Sequence, residues 1–172
     1  IVTVIAPKHP HQNPAEENII RIPSFSNPFS PDYPLPFPIL NPDRLIKTID
    51  KPDLVYYHHP FMIGNFAIKL ARELRVPSVF TYHSHYDTVA KSFIPLHLYN
   101  LFVQKPLLTH LRNLLNHTTH IIALTESSRL KLVEIDIATP ISVIPTIRNP
   151  MLIPRTDKSQ LKSKYGFDPN LP

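Results

Sequence analysis

From Asn41 to Ile144 the sequence alternates helix-patterned stretches with short β-branched apolar runs, and this order is its strongest constraint on fold. Asn41-Pro42 reads as a helix start, an N-cap amide followed by proline at the first helical position, with the helix running to about Asp50. Asp53-Leu-Val-Tyr-Tyr-His58 is a strand, and Pro60 opens a helix from Phe61 to about Arg75. On that helix Phe61, Ile63, Phe66, Ala67, Leu70 and Leu74 share a face, opposite Lys69, Arg72, Glu73 and Arg75. Pro77 to Tyr82 is the next strand, and a helical region with a break at Pro106 spans Pro95 to Asn116. Thr119 to Leu124 is a strand, Thr125 and Glu126 start a helix ending near Asp136, and Ile141 to Ile144 is the last strand. Such alternation predicts an α/β, Rossmann-like parallel sheet with helices on both faces. In these sheets ligands sit at the carboxyl ends of the strands. Attention therefore falls on His58-His59, His83-Ser84-His85 and Thr125-Glu126.

The first forty residues are less regular. Ile1 to Ala6 reads as a buried parallel strand that stops at Pro7 and, having nothing before it, looks cut into. Asn18 to Ile22 is a second strand. Pro23 to Pro38 holds six prolines among aromatics, which predicts an extended loop laid over the domain.

Composition then narrows the chemistry. The chain has no cysteine, which removes disulfides, thiolate nucleophiles and cysteine zinc sites. Two glycines, Gly64 and Gly166, build neither a G-x-G-x-x-G nor a Walker loop. The 42% apolar content and net charge of +5 describe a globular chain of one domain rather than a disordered one. No apolar run reaches the ~18 residues of a membrane span, and the start lacks the features of a signal peptide. A soluble or peripheral protein of a reducing compartment is the expectation. No nucleic-acid motif accompanies the modest basic charge.

Neighbouring strand ends bring His58 and His59 near His83 and His85. These imidazoles suit hydrogen bonding to a polar substrate, which is the preferred reading. A metal site with Asp87 as the local carboxylate, and histidines that merely satisfy loop backbone, remain as alternatives. Ser84 lacks the G-x-S-x-G elbow of an exposed nucleophile. No Asp-x-Asp pair is present to anchor a cation and diphosphate. Between Lys91 and His117, apolar Phe93, Leu98 and Phe102 mix with Lys91, Lys105 and Arg112. Most of this stripe should pack on the sheet, while its basic rim also suits an anionic membrane surface.

Four segments together resemble glycosyltransferase family 4: Asp53-Leu-Val-Tyr-Tyr-His-His-Pro-Phe-Met-Ile-Gly64, Val79-Phe-Thr-Tyr-His-Ser-His-Tyr86, Ile121-Ile-Ala-Leu-Thr-Glu-Ser-Ser-Arg129 and Val143-Ile-Pro-Thr146. Val2-Thr-Val-Ile-Ala-Pro7 and Arg21-Ile-Pro-Ser24 match the family's second and third strands, and the bacterial-type 1,2-diacylglycerol 3-glucosyltransferases are the subgroup most similar. The resemblance implies one half of a GT-B fold lacking its first strand. Residues 1–150 would be the amino-terminal, acceptor-side domain and 151–172 a linker towards a nucleotide-sugar-binding domain. The implied activity is that of a retaining hexosyltransferase in glycolipid biosynthesis, moving sugar from a nucleotide-sugar donor such as UDP-glucose to a lipid acceptor, with no cofactor or metal.

By the same resemblance His83 is the cleft histidine that contacts the transferred sugar. His58, His59, Tyr82, Tyr86, Thr125 and Glu126 would line the substrate side, and Lys91, Lys105 and Arg112 would face the membrane. The protein would be cytoplasmic, peripheral on the inner membrane face. Where the family has glycine after Pro-Thr, this chain has Ile147-Arg148. A non-catalytic acceptor- or membrane-binding module and a histidine-ligated metallohydrolase are the alternatives.

Overall fold

The computed structural model describes residues 1–9, 17–27, 34–37, 42–83, 85–93, 95–146, 162–164, 166 and 168. The proposed Asn41 cap, Ser84, Ile147-Arg148 and most of the 151–172 linker lie outside the described residues, as do the side chains of Asp87 and Phe93.

Four strands, β5 (Val55–Tyr57), β6 (Ser78–Tyr82), β7 (His120–Ala123) and β8 (Ile141–Val143), form a parallel sheet in that order. Register partners share a face, so Tyr57, Phe80, Ile121 and Ile141 make one continuous apolar row. Three helices cover this row: α2 (Met62–Leu74), α5 (Gln104–Leu115) and α6 (Glu126–Glu134). Ala67 and Ile68, Leu114 and Leu115, and Leu132 pack against it. Phe80, Leu115, Ile121 and Leu132 are fully buried, and each contributes about 1.5–3 kcal/mol of hydrophobic stabilisation. The opposite row, Tyr56, Val79 and His120, is half-buried to exposed. A parallel sheet flanked by helices is the Rossmann-like arrangement that the alternation predicts.

Upstream, β1 (Val4–Pro7) pairs in parallel with β2 (Ile19–Ile22) as a separate two-stranded sheet, and β3 (Ser24–Phe25) pairs antiparallel with β4 (Leu35–Pro36). The expected extended loop thus contains a short ladder, closed by Phe25 against Phe37. Strand β1 starts three residues later than the sequence suggests and is not buried, with Ile1, Val2 and Val4 exposed. Its anchor is Ile5, which joins Ile20 against Leu45, Phe66 and Leu70. Leu45 lies on α1 (Pro42–Ile46), which ends short of Asp50 as its last carbonyls turn to Thr48 and Ile49.

The shortage of glycine shows in the helix ends. At the C-terminus of α2, Arg75 takes a left-handed conformation (φ 54°), and the Val76 N–H returns to the Ala71 carbonyl at 3.0 Å. After α6, Asp136 does the same (φ 58°), and the Ile137 N–H returns to the Leu132 carbonyl at 3.1 Å. Both are the closure usually made by glycine, here carried by side-chain-bearing residues at a small steric cost.

The break near Pro106 is displaced. Helix α3 (Tyr86–Phe93), which the sequence pattern did not distinguish, precedes α4 (Leu96–Leu98), and a π-helical turn spans Tyr99–Val103 before α5 begins. Pro106 sits in the first turn of α5, where a missing N–H is tolerated. In a regular α-helix a proline ring clashes with the carbonyl four residues back, and the wider turn includes that position, Phe102. Among the described residues no helix is long and apolar enough to cross a membrane.

Candidate active site

The carboxyl ends of β5 and β6 carry the site. Alternation along a strand sends Tyr56 and His58 to one side and Tyr57 and His59 to the other. On the first side two contacts repeat the same diagonal across the parallel pair, each spanning 25 residues of sequence. Tyr56 Oη meets Thr81 Oγ1 at 2.5 Å, and one rung further out His58 Nδ1 meets His83 Nε2 at 2.7 Å. The imidazole planes lie 35° apart with centroids 5.0 Å apart, and Tyr56 meets the His58 ring edge-on. Both histidines are exposed at the sheet edge.

An N···N hydrogen bond needs one protonated and one bare nitrogen. The pair therefore shares a single bridging proton, and its two outer nitrogens, Nε2 of His58 and Nδ1 of His83, are one donor and one acceptor in either tautomer. A hydroxyl group, which both donates and accepts, matches that arrangement. Protonating both rings would break the bridge. Desolvation first, and then the neighbouring His83, hold the His58 pKa below its ordinary value.

On the other side the same strand ends build an aromatic wall. His59 is edge-on to Phe61, Phe61 is edge-on to Tyr86 and stacks on His110 with planes 10° apart, and Tyr82 meets Tyr86 edge-on. His110 of α5 also donates from Nε2 to the Pro60 carbonyl at 2.9 Å, so it fixes the turn after β5. Desolvation lowers the pKa of His59 and raises that of the Tyr86 phenol to about 12. Tyr86 Oη donates to the His58 carbonyl at 3.4 Å, tying the wall to the histidine pair. Gly64 lets α2 start beneath this turn, because a Cβ there would lie 2.7 Å from the His59 carbonyl and 3.0 Å from Leu114.

The residues singled out from sequence thus divide. His58 and His83 come together in the open. His59 and Tyr86 belong to the aromatic wall, and Tyr82, only 3% exposed, is a core residue beneath it. His85 is edge-on to Tyr82. Thr125 lies at the end of the neighbouring β7 and caps α6, its Oγ1 accepting from the Ser128 N–H at 3.1 Å. Glu126 stands in the first turn of α6, where the helix dipole favours its charge, and is held by Arg129 at 2.5–2.8 Å. That hydrogen bond, with the Arg129 charge, draws the Glu126 pKa down.

The three basic residues also separate. Lys91 lies over the Tyr99 ring at 5.2 Å, and Lys105 is exposed beside exposed Leu101 and Phe102. Arg112, two turns further along α5, donates to the Ile135 carbonyl at 3.0 Å and to Asp136 at 3.1 Å. It closes the end of α6 rather than joining the apolar patch. Sequence reasoning missed His110 and Phe61 as site-forming residues, since nothing local marks a residue of α5 as the partner of a turn 50 residues earlier.

Among the described residues, no three histidine or carboxylate side chains converge as metal ligands, and the two exposed imidazoles spend one nitrogen each on one another. No curated protein matches the chain. The profile of Glycosyltransferase Family 4 matches residues 2–150, which hold both parallel sheets and the histidine pair. The chain belongs to glycosyltransferase family 4 and carries the α/β, Rossmann-like fold of a glycosyltransferase domain.

Proposed function

We propose that this domain is the acceptor-side half of a retaining, nucleotide-sugar-dependent hexosyltransferase that acts on a diacylglycerol-like lipid, with UDP-glucose as a representative donor. The observation that carries the reading is the His58–His83 pair at the carboxyl edge of the sheet. Its outer donor and acceptor suit a sugar hydroxyl, and His83 is the residue that contacts the transferred hexose. The bridge fixes both rings before substrate arrives, so orientation costs little at the moment of reaction. The donor nucleotide belongs to a second domain in the GT-B architecture, across the cleft from His83.

The lipid acceptor is supported by a run of exposed apolar side chains: Leu96, Leu98, Leu101 and Phe102 are 62%, 40%, 71% and 64% exposed around the π-helical turn. Lys105 stands at its border and suits an anionic headgroup, each such cation adding ~1 kcal/mol near the surface. The protein would then work as a peripheral membrane protein on the cytoplasmic face.

The test is transfer of labelled glucose from UDP-glucose to diacylglycerol in mixed vesicles by the chain joined to its native flanking sequence. His83→Ala is expected to lower kcat/KM by about 10²-fold, the scale of losing one aimed hydrogen-bond donor. Unchanged turnover removes His83 from the site. In co-sedimentation, Leu101→Ser with Lys105→Glu should weaken binding to anionic vesicles. Equal binding by both proteins argues for a soluble acceptor.

A further inference from the structure

Away from the histidine pair, helices α2 and α5 line an open surface groove of about 450 Å³, within the size range of small-molecule sites. Its floor is Ile68 and Leu114, both buried in the core, and Gly64 lets Leu114 lie close to α2 one turn before Ile68. Along the α2 wall stand Asn65, Lys69 and Arg72, spaced three and four residues apart and so on one face. Asn113 and His117 form the α5 wall. Neither Lys69 nor Arg72 makes an ion pair with any described residue. The one carboxylate present, Glu73, follows Lys69 by four residues in the weaker lysine-before-glutamate order, and it too is unpaired among the described residues. Two cations against one anion leave the lining with a charge of +1.

The histidines of the lining are already committed. The Nε2–H of His110 goes to the Pro60 carbonyl, and the Nδ1–H of His117 goes to the Asn113 carbonyl at 2.6 Å. Donors for a ligand therefore come from the lysine, the guanidinium and the two side-chain amides, above an apolar floor. A carboxylate would bring two oxygens and a single negative charge to this set. A phosphate monoester has three terminal oxygens and close to two negative charges, and its carbon portion would lie on Ile68 and Leu114.

We propose that the α2–α5 groove is an anion site that takes a phosphate monoester, carried on a small polyol or as the headgroup of a lipid. Its donors, Asn65, Lys69, Arg72 and Asn113, lie outside the histidine pair, while His110 is shared with the aromatic wall.

The experiment follows amide NMR shifts of the full chain during titration with glycerol 3-phosphate, inorganic phosphate and acetate. A parallel arm measures flotation with phosphatidylcholine vesicles with and without phosphatidic acid. The expected result is saturable binding of a phosphate ligand with shifts centred on α2 and α5, and weaker binding of acetate. Lys69→Gln with Arg72→Gln should reduce affinity about tenfold, the combined scale of two exposed charge contacts. Lys47→Gln with Lys51→Gln removes the same charge elsewhere and should leave affinity unchanged.

Phosphatidic-acid vesicles captured by the wild type and lost by the groove variant identify the lipid headgroup as the source. Binding of glycerol 3-phosphate alone identifies the soluble one. Absence of saturable binding in both arms overturns the proposal, as does equal affinity for acetate or an equal loss in the charge-matched control.

Discussion

At the end of β5, one residue of difference in sequence separates two environments. His58 faces the open side, where its ring partners among the described residues are His83 and the edge of Tyr56. His59, also exposed to solvent, lies edge-on to Phe61 on the helix side, where Phe61, Tyr86 and His110 form an aromatic layer. The open side is held by polar contacts that exchange readily with water or a ligand. The packed side is held by dispersion and close geometry, which tolerate little change. One short strand thus supplies the histidine pair and the aromatic wall together, so the wall can fix the position of the pair without touching its outer nitrogens.

If that division holds, substitutions on the packed side should cost stability and those on the open side should not. The largest effect is expected for Gly64→Val. Its branched side chain would press on the His59 carbonyl, already 2.7 Å from an ideal Cβ, and that backbone cannot move without shifting β5. Overpacking of this kind costs about 1–3 kcal/mol. For a chain of this size the melting temperature should fall by roughly 2–4 °C per kcal/mol. A variant that melts with the wild type would show that α2 does not bear on the turn.

Tyr57→Phe comes next. The phenol of Tyr57 is buried and bonded to Thr118 Oγ1 at 2.5 Å, while Thr118 keeps a second bond to the Leu114 carbonyl. Burial raises the Tyr57 pKa to about 12, so the group is a neutral hydroxyl throughout the usable range. Losing one such hydrogen bond should cost about 1 kcal/mol in denaturant unfolding. A much larger loss would place more than this bond on Tyr57.

The smallest effect belongs to His58, and it lies in the pH dependence. The folded-state pKa of His58 is depressed below the ordinary 6.5. The unfolded chain therefore binds a proton that folded His58 refuses, and the contribution of His58 to stability is present above pH 6.5 and lost as pH falls below it. His58→Asn should leave stability at pH 8 within about 0.5 kcal/mol and flatten the decline between neutral and acid pH. A variant with an unaltered pH slope would assign that decline to His59, whose pKa is lowered by desolvation on the packed side.

Much of this arrangement was legible in the chain. The four parallel strands were marked by Val55-Tyr-Tyr57, Ser78 to Tyr82, His120 to Ala123 and Ile141 to Val143, because runs buried on one face must be apolar at alternate positions. Thr125 was legible as a cap because a hydroxyl before Glu126 satisfies an orphan N–H locally. Features that depend on two distant segments were not. The role of Arg112 needs the end of α6, and the place of His110 needs the turn at Pro60.

By itself the sequence determined the order of the four strands of the main sheet, the helices α2, α5 and α6 that cover it, and the concentration of imidazole at two strand ends. These follow from local sterics and side-chain alternation, which act over a few residues. Only the tertiary structure decided which imidazole faces outward. Register across β5 and β6 is set by the Tyr57–Phe80–Ile121 row packing beneath α2 and α5, and that packing alone joins His58 to His83 and turns His59 into the wall.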